Sequence, residues 1–158
     1  MHSTPTLYEW AGGQGALENL TTVFYNKILH DELIGPVFRQ MSEDHPRHVA
    51  HFIAEVFKGP PLYSGADGGS HHSMIAHHLG KMLDEPKRKR WMDLLLQSAD
   101  EVELPNDPEF RSAFVAYLEW GSRIAVLNST QTDNPLSEDE PMPQWGWGEP
   151  GGPYVNKP

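Results

Sequence analysis

Apolar residues recur at spacings of three and four along most of the first 128 residues, and strict alternation is rare. That period belongs to helices, which bring i, i+3, i+4 and i+7 to one face, whereas a half-buried strand needs alternation. Leu17, Leu20, Phe24 and Ile28 predict a helix over 16–29, entered through flexible Gly12, Gly13 and Gly15. Gly35-Pro36 then breaks the pattern. Val49, Phe52, Ile53, Val56 and Phe57 predict a second helix over 46–57, with Pro46 in its first turn and Lys58-Gly59-Pro60-Pro61 ending it. Residues 61–73 read as an irregular segment leading into a short helix over 74–79. Asp84, followed by Glu85 and Pro86, caps a helix with Trp91, Leu94, Leu95, Ser98, Ala99 and Val102 on its inward face. After the turn at Leu104-Pro105-Asn106, Asp107-Pro108 opens a last helix. Its stripe is Phe110, Ala113, Phe114, Tyr117, Leu118, Gly121, Ile124 and Ala125. The expected fold is therefore all-α, with four substantial helices and one short one. A structureless connection of more than about ten residues in a compact domain needs a reason, and wrapping a cofactor is one.

Beyond Asn128 the period is lost. The pattern divides the chain into a helical domain over 1–129 and an extension over 130–158 that is rich in Pro, Gly, Asp and Glu. Such tails are usually disordered. Trp145, Trp147 and Tyr154 argue the other way, because tryptophans seldom lie free in water. Both readings stay open. No internal repeat is visible.

Composition narrows the function. A chain of 158 residues fits one domain. The absence of cysteine excludes disulfides, thiolate metal sites and a cysteine nucleophile. A formal net charge of -10 repels phosphate backbones and argues against nucleic acid as a partner. No apolar run approaches the roughly 20 residues of a membrane span, and the N-terminus lacks the basic and apolar stretches of a secretion signal. The expected location is the cytoplasm. Nine histidines stand against 12 lysines plus arginines, a high ratio.

The histidines offer several constellations. His78 lies on the short predicted helix with Met74 at i-4 and Met82 at i+4, an apolar setting suited to the face of a porphyrin. Haem iron in an oxygen carrier needs one neutral imidazole from the protein. His77 would point roughly 100° away on a helix, and periodicity alone does not choose between the two. His45, His48 and His51 would fan over about 120° of a helix, an awkward geometry for zinc. His71, His72, His77 and His78 lack the spacing of a closed zinc site. Lys87-Arg88-Lys89-Arg90 reads as a solvated helix face.

Several of these residues form an ordered set. Phe24-Tyr25 is followed by Val37-Phe38, Gly59-Pro60, Met74-Ile75-Ala76-His77-His78, and Trp91 thirteen residues after His78. Over roughly residues 6–128 the chain resembles a group II truncated haemoglobin. The resemblance implies a shortened globin in which two helix pairs form a two-over-two sandwich around haem b. It selects His78 over His77 as the iron ligand and assigns Tyr25 and Trp91 to the ligand side. It also implies that Phe38 packs on the porphyrin and that Val49 and Phe52 wall the pocket. His45 falls near the ligand-side histidine position of many globins, though Pro46 pushes it out of helical geometry. His48, one turn on, would meet the haem carboxylates or water.

The expected function is reversible binding of oxygen, or of another diatomic ligand such as CO or NO. Oxygen at ferrous iron gathers negative charge, which favours donors such as the Trp91 indole N–H and the Tyr25 hydroxyl. Two other readings accompany this one. In the first, a haem-dependent redox enzyme has nitric oxide dioxygenase or peroxidase-like activity. In the second, a cofactor-free helical interaction module docks through its Trp-Gly-Trp tail. A haem protein would be a monomer or homodimer served by an unidentified reductase.

Overall fold

The computed structural model describes residues 3–153. Among them are seven α-helices and no strand. They are α1 (Leu7–Ala11), α2 (Gln14–Leu29), α3 (Gly35–Phe38), α4 (His45–Val56), α5 (His71–Ala76), α6 (Glu85–Glu101) and α7 (Pro108–Ser129), with a π-helical turn at Leu62–Ala66 between α4 and α5. α2 packs on α4 and on α6, and α6 packs on α7. Two helix pairs, α2/α4 and α6/α7, thus make a two-over-two sandwich. Phe24, Phe57, Phe110, Phe114, Leu17, Leu20, Ile28, Leu95 and Leu118 are fully buried in its core.

Local chemistry explains the helix ends. Asp84 and Asp107 each accept a hydrogen bond from the third backbone amide of the helix they open, Lys87 and Phe110, both at 3.0 Å. α1, which the apolar period does not reveal, starts at a capping box: Thr6 accepts from Glu9 N at 3.0 Å and Glu9 accepts from Thr6 N at 3.1 Å. Gly12 and Gly13 then turn the chain through φ of 111° and 82°, a region only glycine enters freely. α3 forms where a simple break is expected, because Pro36 is compatible with a first helical turn.

The short helix before His78 differs from its predicted span. Ser70 and Ser73 form a reciprocal cap, Ser73 N to Ser70 Oγ at 3.0 Å and Ser70 N to Ser73 Oγ at 2.8 Å. This pulls the start of α5 back to His71, and the helix ends at Ala76. His78 therefore sits in the turn after the helix, and helical i+4 spacing does not relate it to Met82. Met82 is 64% exposed with φ of 54°.

The extension packs back on the body. Trp145 N–H donates to Val56 O at 2.8 Å, and Trp147 Nε1–H donates to Pro5 O at 2.8 Å. The Trp145 ring lies 5.8 Å from Tyr117 and 5.5 Å from Trp120, centroid to centroid. Trp147 meets Trp10 and Phe110 at 6.2 and 6.5 Å. Asn134 Nδ2 donates to His72 O at 2.8 Å. Tyr154 lies outside the described residues.

The basic run is not uniformly solvated. Arg88 is buried and donates to Glu85 (2.6 and 2.9 Å), Glu119 (3.4 Å) and Ser122 (3.3 Å). No helix among the described residues is long and apolar enough to cross a membrane.

Candidate functional site

Between the helix pairs lies a cavity of about 1010 Å³, at the upper end of the roughly 300–1,000 Å³ typical of cofactor sites. Tyr25 comes from α2, Phe38 from α3, and His45, His48, Val49 and Phe52 from α4. Met74 lies on α5, His78 just beyond it, and Trp91 on α6. All of these predicted site residues reach the cavity; Met82 does not. The cavity also explains why the α7 stripe is only half-buried at Gly121, Ile124 and Ala125, since these line the hollow rather than packed side chains.

The Tyr25 hydroxyl lies 3.1 Å from His45 Nε2. Around it the rings of Phe24, Phe38 and His45 pack edge-on, with centroids 4.8, 5.6 and 4.9 Å away. Phe24 also sets Trp91, whose ring it meets at 5.5 Å and 87°. Burial pushes the Tyr25 phenol above its usual range and keeps it protonated. His45 is lowered to about 4, first by burial and then by His77 and His48. It can therefore lie beside the phenol as a neutral ring.

His78 is lowered to about 4 as well, by burial first, then by His77, His45 and Lys81. It is neutral at physiological pH, the state in which imidazole ligates metal. Its Nδ1 is buried with no hydrogen-bond partner among the described residues. A buried polar ring so poorly satisfied is destabilising unless something else engages it. His77, in contrast, is exposed.

Sequence reasoning missed several wall residues. Tyr63, in the π-helical turn, lines the cavity and shares a 3.3 Å hydrogen bond with Ser73. Tyr117 and Trp120 line it from α7; Tyr117 was legible as core, but nothing in the sequence marks Trp120. Lys81 and Lys87 add positive charge to the wall. The loop that carries Asp67 is tied to α4 by His51 Nδ1 to Asp67 Oδ2 at 2.7 Å, with His48 4.0 Å from the same oxygen. Among the described residues no group of three or more His, Asp or Glu is arranged to hold a metal ion by itself. The residues fit a planar cofactor that brings its own metal: an apolar slot, the neutral and unsatisfied imidazole of His78, and hydrogen-bonding groups at Tyr25, His45 and Trp91 in the same space.

Comparison with known proteins agrees. The profile of the bacterial-like globins matches residues 6–120. The group 2 truncated hemoglobin YjbI of Bacillus subtilis is 26% identical over 122 residues, 77% of this chain and 89% of the relative. The group 1 truncated hemoglobin GlbN of Nostoc commune is 33% identical over 89 residues, 49% of this chain and 75% of that one. Among solved structures, the group II truncated hemoglobin of Bacillus anthracis superposes with a TM-score of 0.71 at 21% identity, covering 83% of this chain and 98% of that one. The truncated oxygen-avid haemoglobin of Bacillus subtilis gives 0.67 at 25% identity, covering 77% and 99%. The chain belongs to the bacterial-like globin family, with the two-over-two truncated fold and haem b as its cofactor.

Proposed function

We propose that this globin holds haem through His78 and reversibly binds oxygen or another diatomic ligand, with Tyr25 and Trp91 as hydrogen-bond donors to it. One observation carries the reading: a neutral, unsatisfied imidazole shares an apolar cavity with a tyrosine, a histidine and a tryptophan. Haem, when bound, would supply the iron at which the ligand binds. The chain does the rest. Phe38, Val49, Phe52 and Met74 exclude water and hold the macrocycle. Lys81 and Lys87, with His48 at half exposure, supply cationic or donor groups for its carboxylates. The solved relative described as oxygen-avid supports oxygen as the ligand.

In a dry pocket a hydrogen bond to a charge-bearing partner contributes about 1.5–3 kcal/mol, which corresponds to roughly ten- to a hundredfold slower release. The test is the absorbance spectrum of the purified protein, ferric, reduced and with carbon monoxide, beside that of His78→Ala. The expected result is an intense porphyrin band that shifts with carbon monoxide and is lost or grossly altered in the variant. A protein that takes up no added haem would overturn the reading and favour the helical interaction module.

A further inference from the structure

Trp145 borders two cavities through its neighbours. On its inner side it contacts Trp120 and Tyr117, both walls of the haem cavity. On its outer side it helps line a separate recess of about 320 Å³, with Trp147, Lys58, Thr4 and Leu7. Resting on the haem reading above, we propose that Trp120 and Trp145 relay single electrons from a small phenolic carboxylate in this recess to the haem cavity, with a hydroperoxide as the oxidant.

The recess suits such a donor. Two indoles offer apolar, stackable walls. Lys58 places an ammonium beside them, and no acidic partner engages it among the described residues. On a chain of net charge -10 it is a local attraction for an anion. Both tryptophans are half-buried and anchored, Trp145 by its backbone N–H and Trp147 by its indole N–H. Trp120 and Trp145, 5.5 Å apart at 38°, are the inner and outer members of the relay. Tyr117 is the poorer carrier. A phenol must shed its proton when oxidised, and burial makes that proton hard to lose at Tyr117.

The electrons and atoms balance. A hydroperoxide reduced in the haem cavity breaks its O–O bond, takes two electrons and two protons, and leaves as an alcohol and water. Both electrons come first from the haem site, and Trp120 returns them one at a time. Trp145 refills Trp120. A phenol in the recess refills Trp145 and releases its proton. Two phenols become two phenoxyl radicals for each hydroperoxide, and their two protons match the two consumed.

The experiment uses the full haem-loaded ferric protein, hydrogen peroxide, and ferulate as the reductant. In wild type without ferulate, rapid-freeze electron paramagnetic resonance is expected to show a tryptophanyl radical, and peptide mapping to find oxidation at Trp145. Trp145→Phe is expected to keep the haem band and lower ferulate oxidation at least tenfold. Lys58→Gln is expected to raise KM for ferulate at least threefold and leave that for uncharged guaiacol unchanged. Ferulate oxidation within twofold of wild type in Trp145→Phe, a radical that vanishes in Tyr117→Phe instead, or peptide mapping with Trp145 intact would overturn the relay while leaving haem binding standing. A wild type with no haem band overturns both.

Discussion

The Tyr25 hydroxyl and His45 Nε2 are 3.1 Å apart, and only one hydrogen can lie between them. If the phenol donates to the imidazole, its single O–H is used and it has none for a ligand. If Nε2–H donates to the phenol oxygen, the hydroxyl hydrogen is free to point into the cavity, and the incoming bond strengthens it as a donor. On the proposed function, a bound ligand would select the second arrangement. Oxygen dissociation is therefore expected to rise roughly ten- to a hundredfold in Tyr25→Phe, and likewise in Trp91→Phe. His45→Ala removes only the assisting bond and is expected to raise it by a smaller factor. Stopped-flow displacement of oxygen checks all three, and unchanged rates in both aromatic variants would refute the hydrogen-bonding role.

Acid is expected to destabilise the cofactor-free chain well above the carboxylate range. Folding lowers His78 from 6.5 to about 4, so the unfolded chain takes up a proton as pH falls through 6.5 while the folded chain does not. Stability present above pH 6.5 is progressively lost as pH drops toward 4. The contribution of His78 is on the order of 2 kcal/mol between pH 6.5 and 5. Urea denaturation at stepped pH would show the midpoint falling, with a shallower slope in His78→Phe.

Gly69→Ala is expected to disturb the cavity from a distance. A Cβ there would come within 2.3 Å of the Tyr63 ring, so the ring must shift and its bond to Ser73 is lost. Overpacking of this kind costs about 1–3 kcal/mol. Thermal unfolding would report the destabilisation, and the rate of haem transfer to an acceptor apoprotein should rise. Gly65→Ala, with nothing near its Cβ, is the control.

Arg88→Met is expected to destabilise less than Arg88→Ala. Both leave Glu85 without its cation and remove one donor from Ser122 and from Glu119, which keeps Arg123 at 2.7 Å, but methionine keeps the buried stem in contact with the core. The glutamates are partly exposed and rehydrate, so alanine is expected to lower stability by about 2–3 kcal/mol. Chemical denaturation of both variants decides the order.

The extension is expected to contribute stability without setting the spectrum. Trp147→Ala removes the hydrogen bond to Pro5 and half-buried ring contacts with Trp10 and Phe110. A loss of about 1.5–3 kcal/mol follows, below the 3–5 of a fully buried aromatic. The porphyrin band should be unmoved.

The fold was legible where its signals are local. Asp84 and Asp107 announce α6 and α7, and the stripe from Phe110 to Ala125 gives the face of α7. The start of α5 was not legible, because its cap pairs two serines instead of the serine and glutamate that mark a capping box. The helix also ends earlier than expected, at Ala76, which leaves His78 in the turn that follows and Met82 exposed. Tyr25 and Trp91 illustrate a different limit. Taken alone, each is an ordinary core aromatic, and only their order relative to His78 singles them out. Tyr63 had no signal at all, since a π-helical turn leaves no period and its place depends on the open space at Gly69. The docking of the extension was half legible: Trp145 and Trp147 spoke for it, but no pattern named Val56 and Pro5 as the acceptors.

The hollow between the helix pairs has a consequence for the abundance of this protein in a cell. At about 1010 Å³ it separates faces that would otherwise form the centre of the core, so whatever fills it acts as a folding ligand. Stability then rises with the logarithm of free cofactor, by about 2.7 kcal/mol at a hundred times the dissociation constant. Marginally stable chains are cleared by proteases in proportion to their unfolded fraction. The standing amount of this globin is thereby coupled to the supply of haem, and a shortage of porphyrin would be registered as faster turnover of the protein before any change in its synthesis.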